Sequence, residues 1–535
     1  MKGLVIISGL MILVIILMSA DIQMSNSEST KENFTFMVDV PKSAGLIEIE
    51  FTPGGITICN SSDEQAKQKI CSDGEGGAII TWVDSRSGSN QDIYAQRINT
   101  TGDTYWMENG IVICNKGGNQ DSVQICPDGL GGAILTWRDF RDGPNGDVYA
   151  QRINSTGEAQ WTVNGTAIST ANSYQYEPQL CSDGNGGAII TWIDYRSSNW
   201  DIYVEWINST GDTQWIANGI AICTNTYPQY YPQVCSDGNG GAIITWEDWR
   251  GTLTDFPDKD IYVQRINSTG DTQWTANGTA ICAKNYDQVS PLIISDGIGG
   301  AIISWADNRT GDLYDILAQK INSDGVKQWN TNGVSMSIIV ANQLTPQLIS
   351  DGAGGAIIAW YDYRRGIPHN PDVYAQKVNS TGIVDWDPLG VVVCTGSDEL
   401  NYIKLCGDNA GGAIISWTET RVGTLTDIYS QLIDFNGETQ WTLNGEIVCN
   451  ETNSQYDPQI VSDGSGGAFL TWKDYRNSSV SNSDIYAQRI TDDIPPSPPS
   501  PPTPEIPFGD YYLVFTFLGI ISLIIVKKRM IDSRN

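Results

Sequence analysis

The sequence predicts an all-β chain assembled from eight copies of one small four-stranded unit, and three observations carry that prediction. The phrase SDGxGGAIITWxDxR recurs, with its aspartate at Asp73, Asp128, Asp183, Asp237, Asp296, Asp351, Asp408 and Asp463. Its spacings are 55, 55, 54, 59, 55, 57 and 55 residues. Composition agrees: 55 Gly, 18 Trp and only 17% charged residues are the usage of neither a disordered polyelectrolyte nor a coiled coil.

The third copy shows how the unit divides. Turn chemistry separates a first strand over Pro178 to Ser182, a second over Gly187 to Asp194, a third over Asp201 to Asn208 and an outer strand over Trp215 to Cys223. Between the first two sits DGNGG and between the last two NSTG, residues that tolerate the positive φ angles of tight hairpins. The second strand, Ala188 to Ile193, is apolar on both faces and needs cover on both sides, which neighbouring copies supply. A four-stranded period somewhat above ~40–50 residues fits one propeller blade, so the fold class is an eight-bladed β-propeller. The last copy stops after its third strand at Ile490, while the first is preceded by a surplus strand. Phe51 to Cys59 (FTPGGITIC) aligns without a gap on Trp106 to Cys114 (WMENGIVIC). Over residues 51–490 this resembles the Velcro closure of β-propellers, which implies that the N-terminal strand completes the last blade and leaves no raw sheet edge.

Both ends point to a membrane. Residues 1–20, with Lys2, an apolar run from Gly3 to Met18 and small residues at the exit, read as a signal peptide. The alternative, an uncleaved anchor, exports the middle equally. A lead-in covers 21–50. Residues 491–509 form a stalk with eight prolines between Pro495 and Pro507, and 510–529 a transmembrane helix closed by Lys527, Lys528 and Arg529, leaving 530–535 in the cytoplasm. The last forty or so residues resemble the C-terminal anchors of archaeal surface proteins, here with Pro504, Glu505, Ile506, Pro507, Phe508 and Gly509 in the motif position. The expected location is the cell membrane, single-pass, with the repeats extracellular.

Residues repeated in every copy belong first to the blade. Trp82, Trp137, Trp192, Trp246, Trp305, Trp360, Trp417 and Trp472 on the second strand, and Trp106, Trp161, Trp215, Trp274, Trp329, Trp386 and Trp441 on the outer one, are expected to wedge between blades. An acid two residues after the second-strand Trp, an Arg two further on and an Asp opening the third strand suggest a latch, Arg196 between Asp194 and Asp201 in the third copy, with Glu419 as the acid of the seventh. A calcium ring is the alternative use of DGxGG, but with one reliable carboxylate per turn its oxygen count is poor, and neither metal nor cofactor is expected. The cysteine pairs twelve residues apart, such as Cys59 and Cys71, are about as many as chance placement gives. They would also have to reach from an outer strand to the axis, so buried reduced thiols are expected. Asn99, Asn154, Asn208, Asn267 and Asn379 head sequons in the turn before the outer strand and are glycan acceptor candidates in an exported chain.

Because strands alternate direction, the DGxGG and NSTG turns share one face and the remaining loops the other. On this second face the loop from the repeated Arg to the repeated Asp holds nine residues after Arg250, seven after Arg364 and Arg476, and four or five elsewhere. Variation of this kind marks a binding face. The candidates there are Tyr174, Tyr176, Tyr227, Tyr230, Tyr231, Tyr286, Tyr402 and Tyr456 in loops before the first strands, with Asp255, Phe256 and Asp258 after Arg250 and His369 after Arg364. Tyrosines beside amides suit recognition of protein or glycan surfaces. A net charge of −31 disfavours nucleic acid, and a single histidine removes most imidazole chemistry. No constellation of nucleophile and base breaks the repeat, and the sialidase Asp box fails because Trp82 lies nine residues after Asp73. The expected function is a surface-anchored module binding an extracellular protein or glycan. A carbohydrate-active hydrolase or lyase and a passive envelope component are the alternatives.

Overall fold

The computed structural model describes residues 48–52, 54–251, 258–366, 371–395, 399–421 and 425–491. The signal peptide, most of the lead-in, the stalk and the apolar C-terminal segment lie outside them, and among the described residues no helix is long and apolar enough to cross a membrane.

Eight antiparallel sheets form an eight-bladed β-propeller. In the third blade the strands are Gln175–Ser182, Ala188–Asp194, Asp201–Ile207 and Ile220–Cys223, in that spatial order. The first strands are innermost: Lys69, Gln124, Leu292, Gln347, Lys404 and Gln459, from six different blades, line one axial cavity. The last blade takes its outer strand from the N-terminus, with Ile56 opposite Ala487 and Cys59 opposite Ile485, while Glu48 and Ile49 pair with Thr491 and Ile490. Closure is sealed between the last and first blades, where Gln65 N donates to Ser483 O at 3.0 Å and Ser483 Oγ to Gln65 O at 2.9 Å.

Two strand boundaries differ from the sequence reading. The outer strand begins at Ile220 rather than Trp215, because Asn218 and Gly219 turn the chain with φ of 67° and 85°. Gly219 lies so close against the Trp192 ring that a Cβ there has no room. The first strand begins at Gln175 rather than Pro178, and a bulge shifts its register between Tyr176 and Gln179. Glu177 holds φ 53° there, and Pro178 has no N–H to offer the ladder.

All eight second-strand tryptophans are fully buried. Each packs into the preceding blade, as Trp137 does among Ile79, Val83 and Cys114, and each Nε1 donates to the acid two residues on at 2.8–3.0 Å. The outer tryptophans also join blades: Trp161 Nε1 donates to Ser209 O of the next blade at 3.1 Å.

The latch holds one carboxylate, not two. Arg196 grips Asp194 with Nε to Oδ1 at 2.9 Å and Nη2 to Oδ2 at 2.5 Å, ties down Asn218 O at 2.8 Å, and lies 3.9 Å over the Tyr203 ring. Its fork is therefore spent, and Asp201 turns instead to Ser197 Oγ. The same arginine reaches back one blade, to Ser169 Oγ, as Arg86 does to Cys59 Sγ at 3.0 Å. All eleven cysteines are free thiols, and burial pushes Cys59, Cys114 and Cys223 up to about 12. In the DGxGG turn Asp73 Oδ1 accepts Glu75 N and Gly77 N, and Oδ2 accepts Arg97 Nε at 2.9 Å, so the turn consumes its own carboxylate.

Two outcomes follow from this packing. Ile58, buried in the seam with Ile80, Trp82 and Phe469, should cost about 2–5 kcal/mol on substitution to alanine, and deletion of residues 51–59 should abolish the single cooperative melt. Unchanged urea curves for either would refute closure. Secondly, Asp260 is pushed up to about 8 by burial and by the neighbouring Asp258 and Asp248. Its folded pKa exceeds its ordinary 3.8, so the stability it allows at low pH is lost as pH rises from about 4 to about 8. The urea midpoint of Asp260→Asn should gain on the wild type between pH 5 and 8.

Candidate functional site

The face carrying the variable loops is built on the first-strand bulge. A bulge residue with φ between 53° and 57° recurs in every blade, as Lys67, Ser122, Glu177, Tyr231, Ser290, Thr345, Tyr402 and Asp457, in six of them two to three residues before the strand positions that line the axial cavity. Two residues before the bulge stands a buried glutamine in seven blades, replaced by Leu400 in the seventh blade: Gln175 Nε2 donates to Ala171 O at 3.2 Å and Ser173 O at 3.0 Å, pinning the loop that presents Tyr174.

This changes the setting of the predicted tyrosines. Tyr174, Tyr227 and Tyr286 stand exposed in loops, as expected. Tyr176, Tyr230, Tyr231, Tyr402 and Tyr456 lie on first strands, because those strands begin earlier than the prolines suggest. Tyr231 and Tyr402 occupy bulge positions and are about half exposed, at 51% and 48%. Asp258 is buried and packed against Gly251, not exposed in the loop as expected. Asp255, Phe256 and His369 lie outside the described residues.

Only some of these residues come together. On the second to fourth blades a continuous aromatic chain forms. Tyr174 stacks on Tyr176 at 5.8 Å, Tyr176 meets Trp200 edge-on at 5.5 Å, and Tyr195 lies 4.7 Å from Trp200. Trp200 continues to Tyr230 at 6.4 Å, and Tyr230 to Tyr231 at 6.2 Å and Trp249 at 5.5 Å. Cations cap both ends, Arg138 at 4.4 Å over Tyr176 and Lys259 at 5.3 Å over Trp249. Tyr402, Tyr456 and Tyr286 stand apart: Tyr456 meets the Tyr475 ring edge-on at 5.9 Å and its hydroxyl accepts Thr426 Oγ1 at 3.4 Å, and the Tyr286 ring lies over Gly311.

Tyr195, Trp200 and Trp249 were not among the sequence candidates. A signal for two of them exists: Tyr195 and Trp249 fill the variable position between the latch acid and its arginine, which the repeat alignment leaves free. Trp200 directly precedes the Asp that opens the third strand, where other blades carry Gln, Gly, Lys, Tyr, Pro, Thr or Ser.

Two carboxylates flank the exposed Tyr231. Glu247 is buried, burial pushes its carboxyl up, and Ser290 N donates to its Oε1 at 2.7 Å. Glu177 is pushed up by burial and pulled back by Arg138. The charges of both reach Tyr231. The site thus offers ring faces for stacking, carboxyl groups as hydrogen-bond acceptors, and a guanidinium at one edge.

The candidate sequon residues lie in the turns of the opposite face. Asn208 Oδ1 accepts Thr210 N, Thr210 Oγ1 and Asp212 N, a turn repeated at Asn99, Asn154 and Asn267. At Asn379 it closes on Thr381 N, Thr381 Oγ1 and Ile383 N.

No family model matches the chain, and no curated protein does. Among solved structures it is similar to a polysaccharide lyase described as an ulvan lyase, at 11% identity over 74% of this chain and 94% of that one, with a TM-score of 0.42. It is similar too to a Penicillium chrysogenum α-L-arabinanase, at 12% identity over 61% of this chain and 98% of that one, with a TM-score of 0.32. An α-L-arabinofuranosidase from Lactobacillus brevis aligns at 8% identity over 52% of this chain and 96% of that one, with a TM-score of 0.31.

Proposed function

We propose that the protein is a cell-surface-anchored recognition module whose variable face binds an extracellular protein or glycan through the aromatic chain of the second to fourth blades. The observation that carries this reading is the confinement of that chain. Among the described residues Tyr174, Tyr176, Tyr195, Trp200, Tyr230 and Trp249 meet in one sector, so the shared blade architecture does not require them, although Tyr176, Trp200 and Tyr230 also pack against the core between the third and fourth blades. Rigid tyrosines and tryptophans supply contact area at low entropic cost, and their faces suit the C–H surface of a sugar ring as well as a protein side chain. The apolar run at the N-terminus and the proline stalk, apolar span and basic cluster at the C-terminus support surface anchoring.

A second reading has one specific observation in its favour. Glu177 and Glu247, both held toward their protonated forms, flank Tyr231 beside the aromatic chain, and paired carboxyl groups of that kind serve acid–base work on a glycan. Glycan and surface-protein arrays probed with the full-length protein separate the two. The binding reading expects saturable binding that weakens about tenfold or more in Trp200→Ala, the cost of one aromatic anchor, and is unaffected by Glu247→Gln. Turnover of an array glycan that Glu247→Gln abolishes would replace binding with catalysis. Binding that Trp200→Ala leaves unchanged would remove the aromatic chain as the site.

A further inference from the structure

The axial cavity is an open recess of about 300 Å³ walled by the innermost strands. Its polar lining consists of the glutamines Gln124, Gln347 and Gln459 and two lysines, Lys69 of the first blade and Lys404 of the seventh. Lys404 Nζ donates to Gln347 Oε1 at 3.1 Å. Lys69 Nζ has no hydrogen-bond partner among the described residues, and neither lysine is in an ion pair there.

The charges around these two ammonium groups do not balance. Asp457, at the bulge of the intervening eighth blade, is the carboxylate whose charge reaches both lysines, and one of its oxygens already accepts Gln459 Nε2 at 2.9 Å. Two cations and one carboxylate leave an excess of one positive charge in a confined site, within a chain whose net charge is −31. Burial depresses both lysines, and Lys69 adds its repulsion to bring Lys404 down to about 8. Lys69 and Lys404 are half-buried, and a partly desolvated ammonium without a counter-charge is stabilised when an anion joins it.

We propose that the axial cavity is a binding site for one free small oxyanion, a carboxylate or sulfate, held between Lys69 Nζ and Lys404 Nζ within the ring of glutamine amides. The geometry matches such a ligand: two ammonium-bearing side chains line one cavity from strands separated by a single blade, and the cavity has room for a four- or five-atom anion. The proposal does not depend on the aromatic chain, which lies on the second to fourth blades.

The test is thermal unfolding of the full-length protein titrated with sodium acetate or sodium sulfate, against sodium chloride at matched ionic strength, so that general salt effects cancel. At pH 7 the wild type should show a saturable rise in Tm with either oxyanion, absent from Lys69→Met and from Lys404→Met. Each variant, freed of like-charge repulsion, should melt at or above the anion-free wild type. At about pH 9.5 Lys404 has lost its proton, and the wild-type midpoint should be about tenfold weaker. Should a variant fail to fold, the wild-type pH series still decides. A response shared equally by wild type and variants, no saturable response at pH 7, or a midpoint unchanged at about pH 9.5 each overturns the site.

Discussion

The carboxylate two residues beyond each second-strand tryptophan is the point on which the architecture depends. In the third blade Asp194 accepts the Trp192 indole N–H on one oxygen and the Arg196 guanidinium on both. A buried indole N–H or a buried carboxylate left alone would each be costly. Joined, they satisfy one another, and the arginine carries the network outward to Asn218 O within its blade and Ser169 of the blade before. The tryptophan body meanwhile fills the gap to that same preceding blade. One acid per blade thus fixes both the internal geometry of the sheet and its junction to a neighbour, and the seventh blade performs this with Glu419, whose Oε2 receives the Trp417 indole at 2.8 Å.

Because every blade leans on the next, a ring with an open seam would expose apolar surface as well as unpaired backbone. The N-terminal segment removes both liabilities. Ile56–Cys59 supplies ladder hydrogen bonds to the last blade, Phe51 and Ile58 fill its core, and Arg476 Nη2 reaches Gly54 O at 2.6 Å as its equivalents reach the turns of their own blades. The constant face contributes a second belt, in which Arg97 pairs with Asp73 and Glu75 and donates to Ser155 O of the next blade at 3.1 Å. Rigidity is thereby concentrated in the repeated residues, leaving the loops of the opposite face free to differ.

The architecture could be read from the sequence because the repeat made it redundant: strand order, both tryptophan sets and the closing strand each recur or align within one chain. The errors arose where local geometry departs from the simple strand. Pro178 looked like a strand start because it cannot donate to a ladder, whereas it sits beside a bulge inside a longer strand. The second carboxylate of the latch looked equivalent to the first, yet a guanidinium has one fork and a tyrosine ring occupies its remaining face. The aromatic chain was only half legible. Tyr174, Tyr176, Tyr230 and Tyr231 stood out by type, but Tyr195 and Trp200 reach Tyr174 and Tyr176, and Trp249 reaches Tyr230, only once the strands of each blade pair, and Trp200 meets Tyr230 only when adjacent blades come together. The axial lysines escaped notice for the same reason: Lys69 and Lys404 are 335 positions apart in the chain and meet only because the ring closes.

The bulge in each innermost strand has a further meaning. A left-handed residue other than glycine carries backbone strain, and here Lys, Ser, Glu, Tyr, Thr and Asp all bear it at the equivalent position. The strain belongs to the register of the sheet, not to the side chain, so the identity of the residue is decoupled from the fold that displays it. Eight such places around the ring amount to a keyboard of replaceable keys, with Asp457, whose carboxylate serves the axial lysines, as the exception. A lineage could alter the recognition properties of this face one substitution at a time, with each change leaving the latches, wedges and closing strand untouched.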